Sequence, residues 1–262
     1  MTDTTALREE GGLLAAVVGD AGDRLREVGP FAGWTGRDTL TVLAFVDRMA
    51  QLVLTDRAAY ERELAEFGAA TAGGRPDEIH DRMVAFARSK YDAGDWWPGF
   101  GALCNELEGH DPDEQVPWFG RSLTVERLTA ARQMEVFAYG QDVTDLLRTS
   151  RPATDRLRNV ADFAVRALRF SFANRDLPAP DERPAVELLA PSGARWSWGD
   201  DPINLVSGPA EDFCLVATQR RHLDDTALHV RGPVATRWMA IAQCIAGPPL
   251  PGPAPGQRVW AS

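Results

Sequence analysis

The chain has 262 residues, 44% of them hydrophobic, and a formal net charge of -10. This length allows one large domain or two smaller ones, each with its own buried core. The acidic balance and the lack of a basic cluster argue against nucleic acid or an anionic membrane surface as a partner. No apolar run approaches the roughly 20 residues that span a bilayer, and the N-terminus does not resemble a signal peptide. The sequence therefore predicts a cytoplasmic protein.

The cysteines indicate neither a metal motif nor a disulfide framework. Cys104, Cys214 and Cys244 lie far apart and form no CxxC or CxH pair. We expect all three to be buried, reduced thiols.

Helical spacing of apolar residues dominates the N-terminal half. Residues 7–28 predict a first helix. Thr35 and Asp38 have the spacing of a capping box, so a second helix should begin there and run to about residue 54. Residues 56–67 either extend this helix or form a short one of their own.

A third helix is expected from Asp77 onward, after a break rich in glycine at residues 71–76. The sequence Trp96-Trp97-Pro98 should interrupt or end it, because proline disfavours helical geometry in the residue before it. Helical spacing then resumes, and a long helix follows Ser122. Four long antiparallel helices would form an up-and-down bundle, whose binding sites are built from inward-facing side chains.

One face of that long helix is polar. Arg132, Glu135, Tyr139 and Asp142 recur at steps of three, four and three, which places them on one side of a helix. Their neighbours are apolar, and an isolated buried carboxylate would be costly. These groups therefore either neutralise one another in a network between helices or act on a bound molecule, and the sequence leaves both open.

The sequence pattern changes after residue 151. Residues 154–172 predict one more helix, and a linker rich in proline spans residues 177–184. Beyond it, residues 185–189 and 195–198 read as two strands around a hairpin turn, and residues 233–246 as a final helix. The fold class predicted is α+β, with a helical domain at residues 1–176 and a smaller α+β domain at residues 177–262.

Two motifs carry a resemblance. Gly33-Trp34-Thr35 with Asp38, Val42 and Asp47 follows the pattern Gly-Trp-Thr-x-x-Asp-x-x-x-His-Leu-x-x-x-Asp, and the stretch from residue 132 to 142 follows Arg-Leu-Met-Glu-x-x-x-His-Gly-x-Asp. Both patterns are typical of the DinB/YfiT-like metal-binding proteins related to mycothiol-dependent maleylpyruvate isomerase. Residues 206–216, 219–221, 225–228 and 238–249 resemble an actinobacterial subfamily of these proteins.

The resemblance implies a DinB-like four-helix bundle followed by a sterol-carrier-like domain. It also implies zinc ligands at positions 42, 135 and 139, where this chain has Val42, Glu135 and Tyr139. Valine supplies no donor, and zinc needs about three protein ligands, so zinc is not expected. His80, on the third predicted helix, is the histidine best placed to replace a lost donor.

Val42 and Tyr139 would give the cavity an apolar wall and a phenol, which suits a small hydrophobic organic molecule. Aromatic residues supply a candidate lining for it. The predicted substrate-binding residues are Val42, Trp34, Phe45, Trp96, Trp97, Trp118 and Phe119.

The main functional hypothesis is a metal-independent isomerase or cyclase, used in natural-product tailoring and needing no cofactor. Glu135, with Asp142 nearby, would act as general base or acid, and Tyr139 would hydrogen-bond to a carbonyl or enolate. Arg132 would hold an anionic group or keep Glu135 ionised. Two alternatives remain: a binding protein that encloses a hydrophobic ligand without converting it, and a mycothiol-dependent S-transferase or isomerase.

Overall fold

The computed structural model describes residues 1–75 and 78–258. It divides into two compact units, Met1–Ser150 and Arg151–Ser262. This boundary lies earlier than the one predicted after residue 176, because the segment near residues 157–173 is bonded to the C-terminal part of the chain. The Ser171 hydroxyl, for example, donates to the backbone carbonyl of Gln243 at 3.0 Å. Asp77, the predicted start of the third helix, lies outside the described residues.

The described part of the first unit is helical, with one small hairpin. Its helices are α1 (Thr5–Ala21), α2 (Gly36–Thr55), α3 (Arg57–Thr71), α4 (Ile79–Lys90), α5 (Trp96–Gly109) and α6 (Val125–Leu147). The hairpin pairs β1 (Gln115–Trp118) with β2 (Arg121–Thr124) and leads directly into α6. Helices α1 and α2 each pack against both α5 and α6. The core of the unit therefore lies among these four helices.

Helix α2 begins where the sequence predicts. The Thr35 side chain accepts a hydrogen bond from the backbone N–H of Asp38 at 3.2 Å, and the Asp38 carboxylate accepts one from the N–H of Thr35 at 2.8 Å. This reciprocal pairing confirms the predicted capping box. Most of the helix is buried, including Val42 and Phe45, which have no exposed surface.

The prediction that the Trp96-Trp97-Pro98 sequence interrupts or ends the third helix is wrong. Helix α4 already ends at Lys90, and the Trp-Trp-Pro sequence opens α5 instead of closing the helix before it. Proline is tolerated there because the N–H groups of a first helical turn have no partner within the helix. The tryptophans therefore lie at the start of a core helix.

The second unit combines four helices and a sheet in its described residues. The helices are α7 (Leu157–Arg166), α8 (Leu168–Ala173), α9 (Ala210–Ala217) and α10 (Pro233–Met239). The strands β3 (Ala185–Leu189), β4 (Arg195–Trp198), β5 (Leu205–Pro209) and β6 (His229–Arg231) form a sheet of order β4-β3-β5-β6. Strands β3 and β4 are antiparallel, which confirms the predicted hairpin, while β3 and β5 are parallel. The predicted helix 154–172 is divided between α7 and α8.

The chain thus has the mixed helix and sheet composition predicted from the sequence. The three cysteines are buried, as expected, and none of them forms a disulfide within the described residues. Within residues 1–75 and 78–258, no helix is long and apolar enough to cross a membrane.

Candidate functional site

A buried charge network joins α2 to α6. The Arg132 guanidinium donates from Nε to Oδ1 of Asp47 at 3.0 Å, and its Nη2 lies 2.8 Å from the same oxygen. Its Nη1 donates to Oε2 of Glu135, one turn further along α6. One arginine therefore bridges two carboxylates from facing helices.

Solvent reaches only one member of this network. The side chains of Asp47 and Arg132 have no exposed surface, whereas 10% of the Glu135 side chain is exposed. Arg132 and Glu135 share a helical face because they are three residues apart, and Asp47 meets them through the packing of α2 on α6. Glu135 is the end of the network from which a proton or a ligand could be exchanged.

Burial also controls the charge states. It raises the pKa of Asp47 to about 6, and Glu135 adds to this effect, while Arg132 and the Trp96 indole oppose it. Burial would lower the pKa of Arg132, but the two carboxylates outweigh it and raise the pKa, so the guanidinium stays charged. On α5, burial raises the pKa of the Cys104 thiol to about 12, so it remains protonated. The network therefore sets the carboxyl groups of Asp47 and Glu135 against the single charged guanidinium of Arg132.

Trp96 belongs to this network more than to a ligand pocket. Its buried indole lies beside Asp47 and lowers the pKa of that carboxyl. Its N–H nevertheless reaches no acceptor with hydrogen-bonding geometry, and neither does Oδ2 of Asp47 reach a donor. Such pairs of buried polar atoms are common positions for an ordered water.

A second group of side chains, here called the aromatic site, consists of Phe31, Trp34, His80 and Tyr139. Tyr139 stacks on Trp34 with ring centroids 6.0 Å apart and meets Phe31 edge to face at 6.2 Å. His80, from α4, packs its ring edge to face on Phe31 at 5.2 Å and on Trp34 at 5.8 Å. Trp34, His80 and Tyr139 are buried and Phe31 is half-buried. Because Tyr139 follows Glu135 by one helical turn, the aromatic site adjoins the charge network.

Other predicted lining residues lie outside the aromatic site. Phe45 packs against Phe67 and Phe86, on α3 and α4. Phe67 also meets Phe119, which packs on Trp118. Val42 is fully buried on α2, and Asp142 is buried on α6.

Trp97 is placed unlike the other predicted rings. Its residue surface is 49% exposed, and it stacks on Phe100 of its own helix. It therefore lies at the edge of the unit. Of the predicted lining residues, Trp34 alone lies in the aromatic site, together with Tyr139 and His80, which the sequence named for other roles.

Two residues of the site were not proposed from the sequence. Asp47 was visible as the last position of the Gly-Trp-Thr motif, but its partner is 85 residues away in the chain. Phe31 precedes that motif and carries no signal of its own beyond its aromatic ring. Both could have been suspected only by assuming that the residues around Trp34 serve one site.

The residues at this site do not fit a zinc ion. Val42 offers no donor, and the Glu135 carboxylate is engaged by Arg132. Among the residues that the structure describes, no three His, Cys, Asp or Glu side chains come together as a metal-binding group. The donor set therefore differs from the one that the resemblance implies.

Comparison with known proteins agrees with the fold. The family model of the mycothiol maleylpyruvate isomerase N-terminal domain matches residues 6–144. Two uncharacterized proteins of Mycobacterium tuberculosis, from strains CDC 1551 / Oshkosh and ATCC 25618 / H37Rv, are each 38% identical over 245 residues, covering 93% of this chain and 95% of the relative. The crystal structure of the mycothiol-dependent maleylpyruvate isomerase aligns with a TM-score of 0.51 at 16% identity, over 83% of this chain and 88% of that one. At this identity, the likeness concerns the fold alone.

Proposed function

The chain belongs to the family of the mycothiol maleylpyruvate isomerase N-terminal domain, and we propose on this premise that it is an isomerase whose site is centred on Glu135 and Tyr139. The observation that carries the proposal is the bridge from Asp47 through Arg132 to Glu135, which delivers one carboxylate to the edge of a buried aromatic site. A base held at such a boundary is suited to moving a proton on an apolar molecule.

The proposed reaction proceeds without a metal ion, since the donors that zinc requires are missing. Glu135 removes a proton from the carbon next to a carbonyl group, and the C–H electron pair moves into the developing enolate. The Tyr139 hydroxyl hydrogen-bonds to the enolate oxygen. The same proton then returns from Glu135 to a different carbon of the conjugated system, so that the product is an isomer and the enzyme is regenerated.

Arg132 acts in this mechanism through Glu135. Because its guanidinium is divided between Asp47 and Glu135, it keeps the Glu135 carboxyl group in place without engaging it completely. Arg132 is thus a positioning residue, and Asp142, buried one turn beyond Tyr139, supports the same face of α6.

We extend the proposal to the substrate and the architecture. The aromatic site fits a small hydrophobic substrate. Glu135 and Tyr139 could equally catalyse ring closure of such a molecule, which is a reaction of natural-product tailoring. The packing of α1, α2, α5 and α6 around one core is what a DinB-like up-and-down bundle requires. We assign the second unit to the sterol-carrier-like type on sequence resemblance.

Two other functions have support of their own. Family membership favours mycothiol-dependent isomerisation or S-transfer, in which the thiol would be the nucleophile. The engagement of Glu135 by Arg132 favours a protein that binds a hydrophobic ligand without converting it.

The experiment compares Glu135→Gln with Glu126→Gln, an exposed glutamate on the same helix. Each protein is incubated with a panel of small hydrophobic ketones and enones in buffer without thiol, and isomers are detected by liquid chromatography and mass spectrometry. Wild-type protein and Glu126→Gln should convert one of these compounds, and Glu135→Gln should be slower by about 100-fold or more, as expected for loss of a general base.

The outcomes separate the three functions. Equal conversion by all three proteins contradicts the assigned role of Glu135. Conversion that begins only when mycothiol is added favours the thiol mechanism. Binding of a panel compound by wild-type protein without any conversion favours the binding protein.

A further inference from the structure

The indole N–H of Trp34 is a buried donor without an acceptor. The residue is 3% exposed, and its Nε1 makes no hydrogen bond in the structure. A buried N–H left unpaired costs about 1–3 kcal/mol, and native proteins pair nearly all such groups. An indole N–H can only donate, so what would satisfy it is an acceptor atom.

The backbone of Trp34 is bonded on both sides. The Trp34 backbone carbonyl accepts from the N–H of Gly29 at 2.7 Å, and its backbone N–H donates to the carbonyl of Phe31 at 2.9 Å. Thr35, the next residue, is tied into the capping box of α2. Trp34 is therefore held at a fixed position by its backbone and by the cap that follows it, while its indole N–H is left unpaired.

Trp96 provides a contrast within the same unit. Its N–H is also unpaired, but it lies beside the Asp47 carboxylate and lowers the pKa of that group. The ring contacts of Trp34 are instead with Phe31, His80 and Tyr139. The unpaired indole of Trp34 therefore belongs to the aromatic site, which is where the proposed substrate would bind.

We propose that the Trp34 indole N–H is a specificity-determining donor that selects molecules carrying a neutral carbonyl oxygen. This inference rests on the proposed function for the location of the substrate. A cation is excluded because the group is a donor. An anion is disfavoured because the adjacent network sets two carboxyl groups, of Asp47 and Glu135, against the single guanidinium of Arg132. Uncharged carbonyl compounds remain, and ketones and enones are the members of this class that the proposed reaction would use.

Acetophenone and α-methylstyrene test this directly, because they share one shape and differ in a carbonyl oxygen against a CH2 group. Their affinities are measured for wild-type protein, for Trp34→Phe, which keeps the ring and removes the N–H, and for Trp196→Phe, a tryptophan of similar burial in the second unit. The ratio of the two affinities is then compared between the proteins, because the difference in hydration between the probes is the same for each variant and cancels.

Loss of one hydrogen bond should lower the ratio of acetophenone to α-methylstyrene affinity about fivefold in Trp34→Phe, with no change in Trp196→Phe. In spectra of protein labelled with 15N in its indoles, acetophenone should move one N–H resonance downfield. That resonance should be the one missing from Trp34→Phe, and α-methylstyrene should not move it downfield.

An unchanged affinity ratio, an unmoved Trp34 resonance, or a failure of wild-type protein to bind acetophenone would each overturn the inference. So would benzoate, the matched anion, binding more tightly than acetophenone. These are binding measurements, so they are independent of turnover. Selection of the ketone in a protein that converts nothing would support the role of Trp34 and count against the proposed isomerase.

Discussion

Replacing Arg132 with methionine should destabilise the protein strongly, and more so as the pH rises. The substitution keeps a long side chain in the core but removes the only charge that the structure places between Asp47 and Glu135. Removing one partner of a buried ion pair typically costs 3–5 kcal/mol. The fully buried Asp47 must then either stay charged without a counterion or take up a proton.

The pH dependence follows from Asp47. In the wild-type protein Asp47 ionises near pH 6. At higher pH it is ionised in both the folded and the unfolded protein, so it no longer lowers the free energy of unfolding as the pH rises. In Arg132→Met the folded protein must keep Asp47 protonated while the unfolded chain releases the proton, and each pH unit above 6 then costs about 1.4 kcal/mol more. We expect a loss of about 3 kcal/mol near pH 6 and about 4 kcal/mol near pH 7.

Urea unfolding followed by far-ultraviolet circular dichroism measures both values. Arg26→Met is the control, since Arg26 is 69% exposed and pairs only with the exposed Asp23; its effect should stay within about 0.5 kcal/mol at either pH. Adding Asp47→Asn to Arg132→Met should recover part of the stability and abolish the pH dependence. A loss below about 1 kcal/mol near pH 7, or one that does not change with pH, would refute the reasoning.

Three further predictions concern packing and protonation. Gly11→Ala should lower the thermal unfolding midpoint, at a cost of about 1–3 kcal/mol in stability, because a Cβ there would overlap the Phe100 ring. Gly12→Ala, which has nothing within 4 Å, should raise the midpoint by adding up to about 1 kcal/mol of stability. Similar shifts in both variants would contradict the packing described. Turnover should rise with pH through about 6, because ionised Asp47 then draws the Arg132 guanidinium away from Glu135 and leaves that carboxyl group freer to react. Asp47→Asn should lack this rise. Between about pH 4 and 6 the folded protein keeps a proton on Asp47 that the unfolded chain releases, so wild-type stability should fall by up to about 3 kcal/mol as the pH rises. Unfolding measured across this pH range should show no such fall in Asp47→Asn.

Features governed by neighbouring residues could be predicted from the sequence. The capping box of Thr35 and Asp38 and the pairing of Arg132 with Glu135 both depend on steps of three residues along one helix. The hairpin between β3 and β4 depends on a turn with glycine at a positive φ, and Gly193 adopts φ 86° there. In each case the local chain geometry leaves few alternatives.

Features that depend on how helices pack could not be predicted in this way. Spacing along α6 shows that Arg132 needs a carboxylate, but not that Asp47 on α2 provides one of the two. The same holds for the ring contacts of Tyr139 with Phe31 and Trp34, which come from a separate loop. The exposure of Trp97 likewise depends on which way α5 faces its neighbours.

A measurement of the metal content of the protein tests the proposed metal-independent mechanism most directly. Untagged protein would be purified without chelator, and inductively coupled plasma mass spectrometry would measure bound metal before and after incubation with excess zinc and removal of the unbound ion. With valine at position 42 and Glu135 held by Arg132, both samples should contain no bound zinc. Near-stoichiometric zinc in either sample would contradict the metal-independent mechanism and restore the thiol chemistry that the family suggests.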